Sequence, residues 1–125
     1  MAKLEYKGQR DTIKFIRDRA KSGYEKDSAC YICGETENLD FHHYHSMTPM
    51  LTKWLRATGN KQEDVLEWRD QFIEEHKEEI YTRTVTLCHT HHLKLHSIYG
   101  KDPSLATATK QERWANIQRE KNGLV

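Results

Sequence analysis

Residues 87–100 read LCHTHHLKLHSIYG. The stretch sets His89, His91, His92 and His96 behind Cys88, four of the chain's eight histidines. Three more, His42, His43 and His45, fall in LDFHHYHS at 39–46, and only His76 stands apart. Histidine and cysteine are the residue types that bind borderline and soft metals. The reading therefore turns on how many sites these clusters build.

Cys30-x-x-Cys33 has the spacing of a zinc knuckle, and Cys88-x-x-His91 repeats it with an imidazole in the last place. Together they offer three sulfurs and one nitrogen, a closed tetrahedral set of the structural kind. Such a Zn2+ site supplies folding energy on the order of 10 kcal/mol, which a lean core needs. Buried or redox-active cysteines are the bland alternative. An odd count of three cysteines in a reducing compartment argues against a disulfide framework.

That set leaves His42, His43, His92 and His96 unexplained. His92 and His96 are four apart on an expected helix, so they share a face and can bind one metal ion. His42 and His43 are neighbours on an expected strand and point to opposite sides. One of the pair can join His92 and His96 on that ion. The other, an imidazole held near the metal but not bound to it, suits a general base.

A strand with His42-His43, a second strand, and a helix with His92-x-x-x-His96 resemble the HNH endonucleases, specifically the small zinc-bearing ones common in bacteriophages. Phe41-His42-His43 matches the first strand of that motif and His92-Leu-Lys-Leu-His96 its helix. The resemblance covers 30–44 and 83–100. It implies an α+β fold, mainly helical: a ββα-metal (His-Me finger) core with a structural Cys3His zinc site and flanking N- and C-terminal helices. A helical insertion at 47–81 stands where the family has a short loop. It also implies a metal-dependent DNA endonuclease that hydrolyses phosphodiester bonds and nicks one strand per active site. His43 would be the general base; His42, His92 and His96 would hold a catalytic divalent ion, Mg2+ or Mn2+, with Ni2+ or Zn2+ also suited to imidazoles. The asparagine that names the family falls near Arg83. Asp40 shares a strand face with His42 and is expected to support it by a hydrogen bond. His45 is expected to be a solvated strand-end residue or a phosphate contact, and His89 to be exposed.

Two other readings bear on the same residues. A non-catalytic zinc module binding nucleic acid explains Cys30, Cys33, Cys88 and His91 but gives no reason for the other four. A structure-specific junction nuclease would use the same core.

The net charge of +1 hides segregation: 1–21 carry seven Lys/Arg against three acids, 94–125 six against three, and 22–93 seven against thirteen. Basic ends around an acidic middle suggest arms that meet phosphates; for the double-stranded DNA partner that the resemblance implies, Lys14, Arg17, Lys94, Lys101, Lys110 and Arg113 are the candidate phosphate contacts. Arg19, Lys21, Arg119 and Lys121 extend the same two arms. The acidic stretch 61–79 should face away from the duplex and offers a surface to a protein partner. No apolar run is long enough to span a bilayer, and the charged start, broken by Gly8, does not read as a signal peptide. The expected compartment is the cytoplasm, that of the host if phage-encoded, and the expected assembly a monomer or homodimer.

The chain reads as one domain, 1–125: a basic helix in 1–28, knuckles and core at 29–46 and 82–100, the insertion, and a basic helix in 101–125. The first helix, 9–22, carries Ile13, Ile16 and Ala20 on one face and stops at Gly23. Strands are expected at 39–44 and 82–87. In the insertion, Thr48-Pro49 caps a helix ending at Gly59, and Asn60 with Glu63 caps a longer one bearing Val65, Trp68, Phe72, His76 and Ile80. A further helix spans 91–99, and Thr109 with Glu112 forms a capping box for the last, which carries Trp114 and Ile117.

Overall fold

The computed structural model describes residues 8–124. The chain is mainly helical with one two-stranded antiparallel sheet. Helix α1 (Gln9–Ala20) is followed by strand β1 (Leu39–His43), helix α2 (Met47–Thr58) and helix α3 (Val65–Glu75). Strand β2 (Thr84–Cys88) runs directly into helix α4 (His89–Tyr99), and helix α5 (Ala108–Lys121) closes the chain. The register pairs Leu39 with Cys88, Phe41 with Thr86 and His43 with Thr84. The start of α4 thus lies beside the start of β1, so the two histidine clusters are neighbours.

Two apolar clusters flank the sheet. One is helical: Ile13, Ile16 and Ala20 of α1 meet Leu51 and Trp54 of α2 and Trp68 and Phe72 of α3. The periodicity at three and four residues predicts this face, and all seven side chains are buried. The second cluster joins Ile32, Leu87 and Leu95 to Ala108 and Ala115 of α5. The long segment between the strands therefore builds a core with the N-terminal helix.

Several element ends differ from expectation. Ser46, not Thr48, precedes α2, and Pro49 is its third residue, still in the turn where a missing N–H costs nothing. Gly59 ends that helix in the left-handed region at φ 76°, its N–H on the Leu55 carbonyl. Asn60 and Glu63 form no cap: a 3-10 turn at Gln62–Asp64 leads into α3. The stripe through His76 is not one helix. It breaks at His76, and a π turn at Glu78–Thr82 turns the chain into β2 while Ile80 stays buried. His76 donates nothing to a site; its Nδ1 bonds the Phe72 carbonyl at 2.8 Å. The Thr109–Glu112 box is absent because α5 starts two residues earlier in effect, with Thr107 at its N-cap and Glu112 beside Arg83 at 3.6 Å. Ile117 remains 42% exposed, since the buried stripe of α5 is Ala108, Gln111 and Ala115.

Gly23 does more than end α1. A Cβ there would lie 2.9 Å from Tyr81 Cε1, and that ring is tethered by its hydroxyl to the Ala20 carbonyl at 3.1 Å. The ring cannot retreat without losing the bond. Gly23→Ala is expected to destabilise the fold by about 1–3 kcal/mol, measured by urea denaturation, with Ser22→Ala near neutral.

Candidate functional site

The first cluster forms where the knuckle meets the β2–α4 junction. Cys30, Cys33, Cys88 and His91 place their ligand atoms within 4.8 Å of one another. Cys33 Sγ lies 3.8 Å from Cys88 Sγ, and Cys88 Sγ lies 3.2 Å from His91 Nδ1. Metal–sulfur bonds of about 2.3 Å at tetrahedral angles put sulfurs about 3.8 Å apart, so the group fits an ion. Burial opposes ionisation of Cys30, but the backbone N–H groups of Cys88, Cys33 and Ile32 aim at its sulfur and lower its pKa. Burial pushes Cys33 up to about 11, with the neighbouring thiols adding. Crowded sulfurs of this kind are relieved by a dication.

The second cluster joins β1 to α4. His42 Nδ1 lies 3.1 Å from His92 Nε2, which lies 3.0 Å from His96 Nε2. The opposite nitrogen of each ring faces an acceptor: His42 Nε2 the Gln111 Oε1 at 2.8 Å, His92 Nδ1 the Asp40 carboxylate at 3.0 Å, and His96 Nδ1 the Gly100 carbonyl at 2.7 Å. A neutral imidazole has one N–H and one lone pair. If each N–H goes to its outer acceptor, three lone pairs converge on one point. A cation would make that arrangement favourable, and metal–nitrogen bonds of about 2.1 Å near right angles give this spacing.

Burial supports the neutral form. It pushes His42 down to about 3, against the Gln111 hydrogen bond, and lowers His92, against Asp40. Asp40 corrects one expectation. Its Oδ2 accepts from His92 and from the exposed His89, not from His42. Burial opposes its ionisation, but those two imidazoles hold its carboxyl below the usual range. Gln111, from a helix outside both clusters, is the group that holds His42, and no motif marks it.

His43 projects to the other face of β1, in edge contact with Tyr24 and Phe41. Burial pushes it down to about 4, against a hydrogen bond to the Ile80 backbone, and Arg17 lowers it further. Its Nε2 is buried with no hydrogen-bond partner. His42, His43, His92 and His96 line one cleft of about 500 Å³ together with Tyr24, Arg17, Lys21 and Lys101.

The model of the nicking endonuclease family, that of phage T5, matches residues 1–123. The chain belongs to this family. No solved structure matches it. Membership implies a nuclease whose substrate is DNA.

Of the basic residues expected to touch phosphates, Arg17 and Lys101 line this cleft. Lys14 is engaged by Asp18 at 2.6 Å and lines an adjoining hollow with Arg17 and Lys101. Lys94, Lys110 and Arg113 are exposed but do not line the cleft. Arg19 pairs with Asp70 of α3 at 3.0 Å, tying the acidic helix to the back of α1. None of residues 61–79 lines the cleft. His45 lies beyond the strand, its Nδ1 buried without a partner in a separate hollow with Trp54 and Glu79. Among the described residues no helix is long and apolar enough to cross a membrane.

The Cys3His group ties residues far apart in sequence, so its ion should be tightly held. Metal analysis of the purified protein is expected to find it, and Cys88→Ala to lose it with several kcal/mol of stability in a thermal melt.

Proposed function

We propose that this nicking endonuclease is of the HNH type, with a ββα-metal site made by β1, β2 and α4 and a structural Zn2+ at Cys30, Cys33, Cys88 and His91. The observation that carries the reading is the convergence of ring nitrogens of His42, His92 and His96 beside an unpartnered His43 Nε2 in the same cleft. A divalent ion held by those three imidazoles, Mg2+ or Mn2+ in the cell, would stabilise charge on the scissile phosphate and on the departing 3′ oxygen. Imidazoles also suit Ni2+ and Zn2+.

The chain's own residues supply the rest. His43 is neutral at physiological pH, and its bare Nε2 takes the proton of the attacking water. The Ile80 carbonyl on the ring fixes its orientation. Arg17, beside His43, is a phosphate anchor that aligns the strand for in-line attack. With one such cleft among the described residues, a single protomer cuts one strand, which accords with the family's name. A non-catalytic zinc module would use the Cys3His group and leave this cleft without purpose.

The deciding test is plasmid relaxation by the zinc-loaded protein with Mg2+ or Mn2+. His43→Ala is expected to lower the nicking rate by roughly 10²–10⁴-fold with zinc content and fold intact. Nicking at the wild-type rate by that variant would refute His43 as the base. Arg17→Ala is expected to weaken DNA binding about uniformly across sequences and to reduce the salt slope of log K by about one, measured by fluorescence anisotropy in a salt titration.

A further inference from the structure

Gln111 is fully buried, contributed by α5, and 69 residues away in sequence from the histidine it touches. Its amide orientation is fixed from both sides. The Nε2 donates to the Tyr44 carbonyl at 3.2 Å and to Thr107 Oγ1 at 3.0 Å, and that hydroxyl spends its own proton on the Ser104 carbonyl at 2.7 Å. Turning the amide over would set its oxygen against the Tyr44 carbonyl. The Oε1 must therefore face His42 Nε2, where it accepts a proton and nothing else.

This matters because the histidine cluster has a way to satisfy itself without any ion. His42 Nδ1 and His92 Nε2 are 3.1 Å apart, hydrogen-bond distance. If His42 carried its proton on Nδ1, it would donate to His92, and the lone pair that faces the ion would be gone. That tautomer would also leave two acceptors, His42 Nε2 and Gln111 Oε1, in contact in the buried interior, an unsatisfied pairing that costs free energy. Asp40 does the corresponding work at His92 and the Gly100 carbonyl at His96, but only His42 has its outer partner on a separate helix.

We propose that Gln111 is a positioning residue that selects the Nε2–H tautomer of His42, keeps its Nδ1 lone pair free for the divalent ion, and so makes the C-terminal helix part of the metal centre. The proposal rests on the reading of His42, His92 and His96 as the ion's ligands. It assigns α5 a role besides phosphate contact: its buried face, through Ala108, Gln111 and Ala115, carries the support for β1, while Lys110, Arg113 and Lys121 are exposed.

The test uses the full-length zinc-loaded protein and Mn2+ alone, with free and bound Mn2+ separated by electron paramagnetic resonance. Gln111→Met removes the acceptor at nearly constant volume and is expected to weaken Mn2+ binding by about 10–100-fold, the range for losing such a support. Gln111→Glu, which keeps an acceptor toward His42 and, when protonated, a donor toward Tyr44, is expected to restore affinity to within about threefold of wild type, an order-of-magnitude estimate on the same basis. Side-chain 15N spectra of the wild-type protein without Mn2+ should assign the His42 proton to Nε2, a readout that needs no variant to fold. Wild-type affinity in Gln111→Met, or a His42 proton on Nδ1, would overturn the role of Gln111 while leaving the ligand set standing. Mn2+ binding that survives His42→Ala unchanged would overturn the ligand set and this inference with it.

Discussion

The antiparallel pairing of Leu39–His43 with Thr84–Cys88 is the constraint on which the rest depends. Side chains alternate along β1, so Asp40 and His42 face α4 while Phe41 and His43 face Tyr24. A slip of one residue would exchange the faces and send His43 to the cluster meant for His42. Two strands alone hold register poorly in water. Here the ladder is locked at one end. The Cys3His group closes around Cys88, Tyr31 N–H bonds the Thr86 carbonyl at 2.9 Å, and His89 N–H bonds the Asn38 carbonyl at 2.8 Å. The Cys3His knot is thus what keeps two adjacent histidines on opposite faces of β1.

The segment between the strands belongs to the same logic. Its helices α2 and α3 bury Trp54, Trp68 and Phe72 against α1, and the π turn that follows delivers Ile80, whose backbone holds the His43 ring. Tyr24, stacked on Phe41 at 4.6 Å, joins that helical cluster to the outer face of β1. One wall of the cleft is therefore the edge of the helical core, and the other is α4 on the sheet. Arg17 stands on the first wall and Lys101 follows the second. A short hairpin loop would give neither the backing for His43 nor a seat for α1.

What the sequence made legible was chemistry carried by spacing. Cys30-x-x-Cys33 with Cys88-x-x-His91, and His92 with His96, are local patterns whose geometry follows from a turn or a helix, and both groups assemble in the structure. Core stripes such as Ile13, Ile16 and Ala20 were legible for the same reason. What escaped depends on pairing across the chain. A shared strand face pairs Asp40 with His42, but the register puts it opposite Leu87, at the foot of α4, where His89 and His92 reach it first. Gln111 lies far from any histidine in sequence, and a lone glutamine has no signature. The capping pairs failed because Thr, Asn and Glu near a helix start are common, and here neighbouring 3-10 turns and the Arg83–Glu112 contact took their places.

Burial at the histidine cluster has two opposed consequences, and the second is answered by residues around it. By disfavouring the protonated ring it keeps His42 and His92 neutral, which removes the proton as a competitor for the lone pairs. The same low dielectric disfavours a bare dication, so three neutral ligands alone would hold one poorly. The remedy is the ring of acceptors behind the imidazoles. Asp40 places a full negative charge one ring away, and the Gln111 and Gly100 carbonyls add oriented dipoles, each acting through an N–H that passes its polarisation to the opposite nitrogen. On the far side the cleft opens to the basic face of α1, where an incoming phosphate would add negative charge. A dication at this centre would be balanced only when both sides are counted, and the supports for it come from β1, α4 and α5 together.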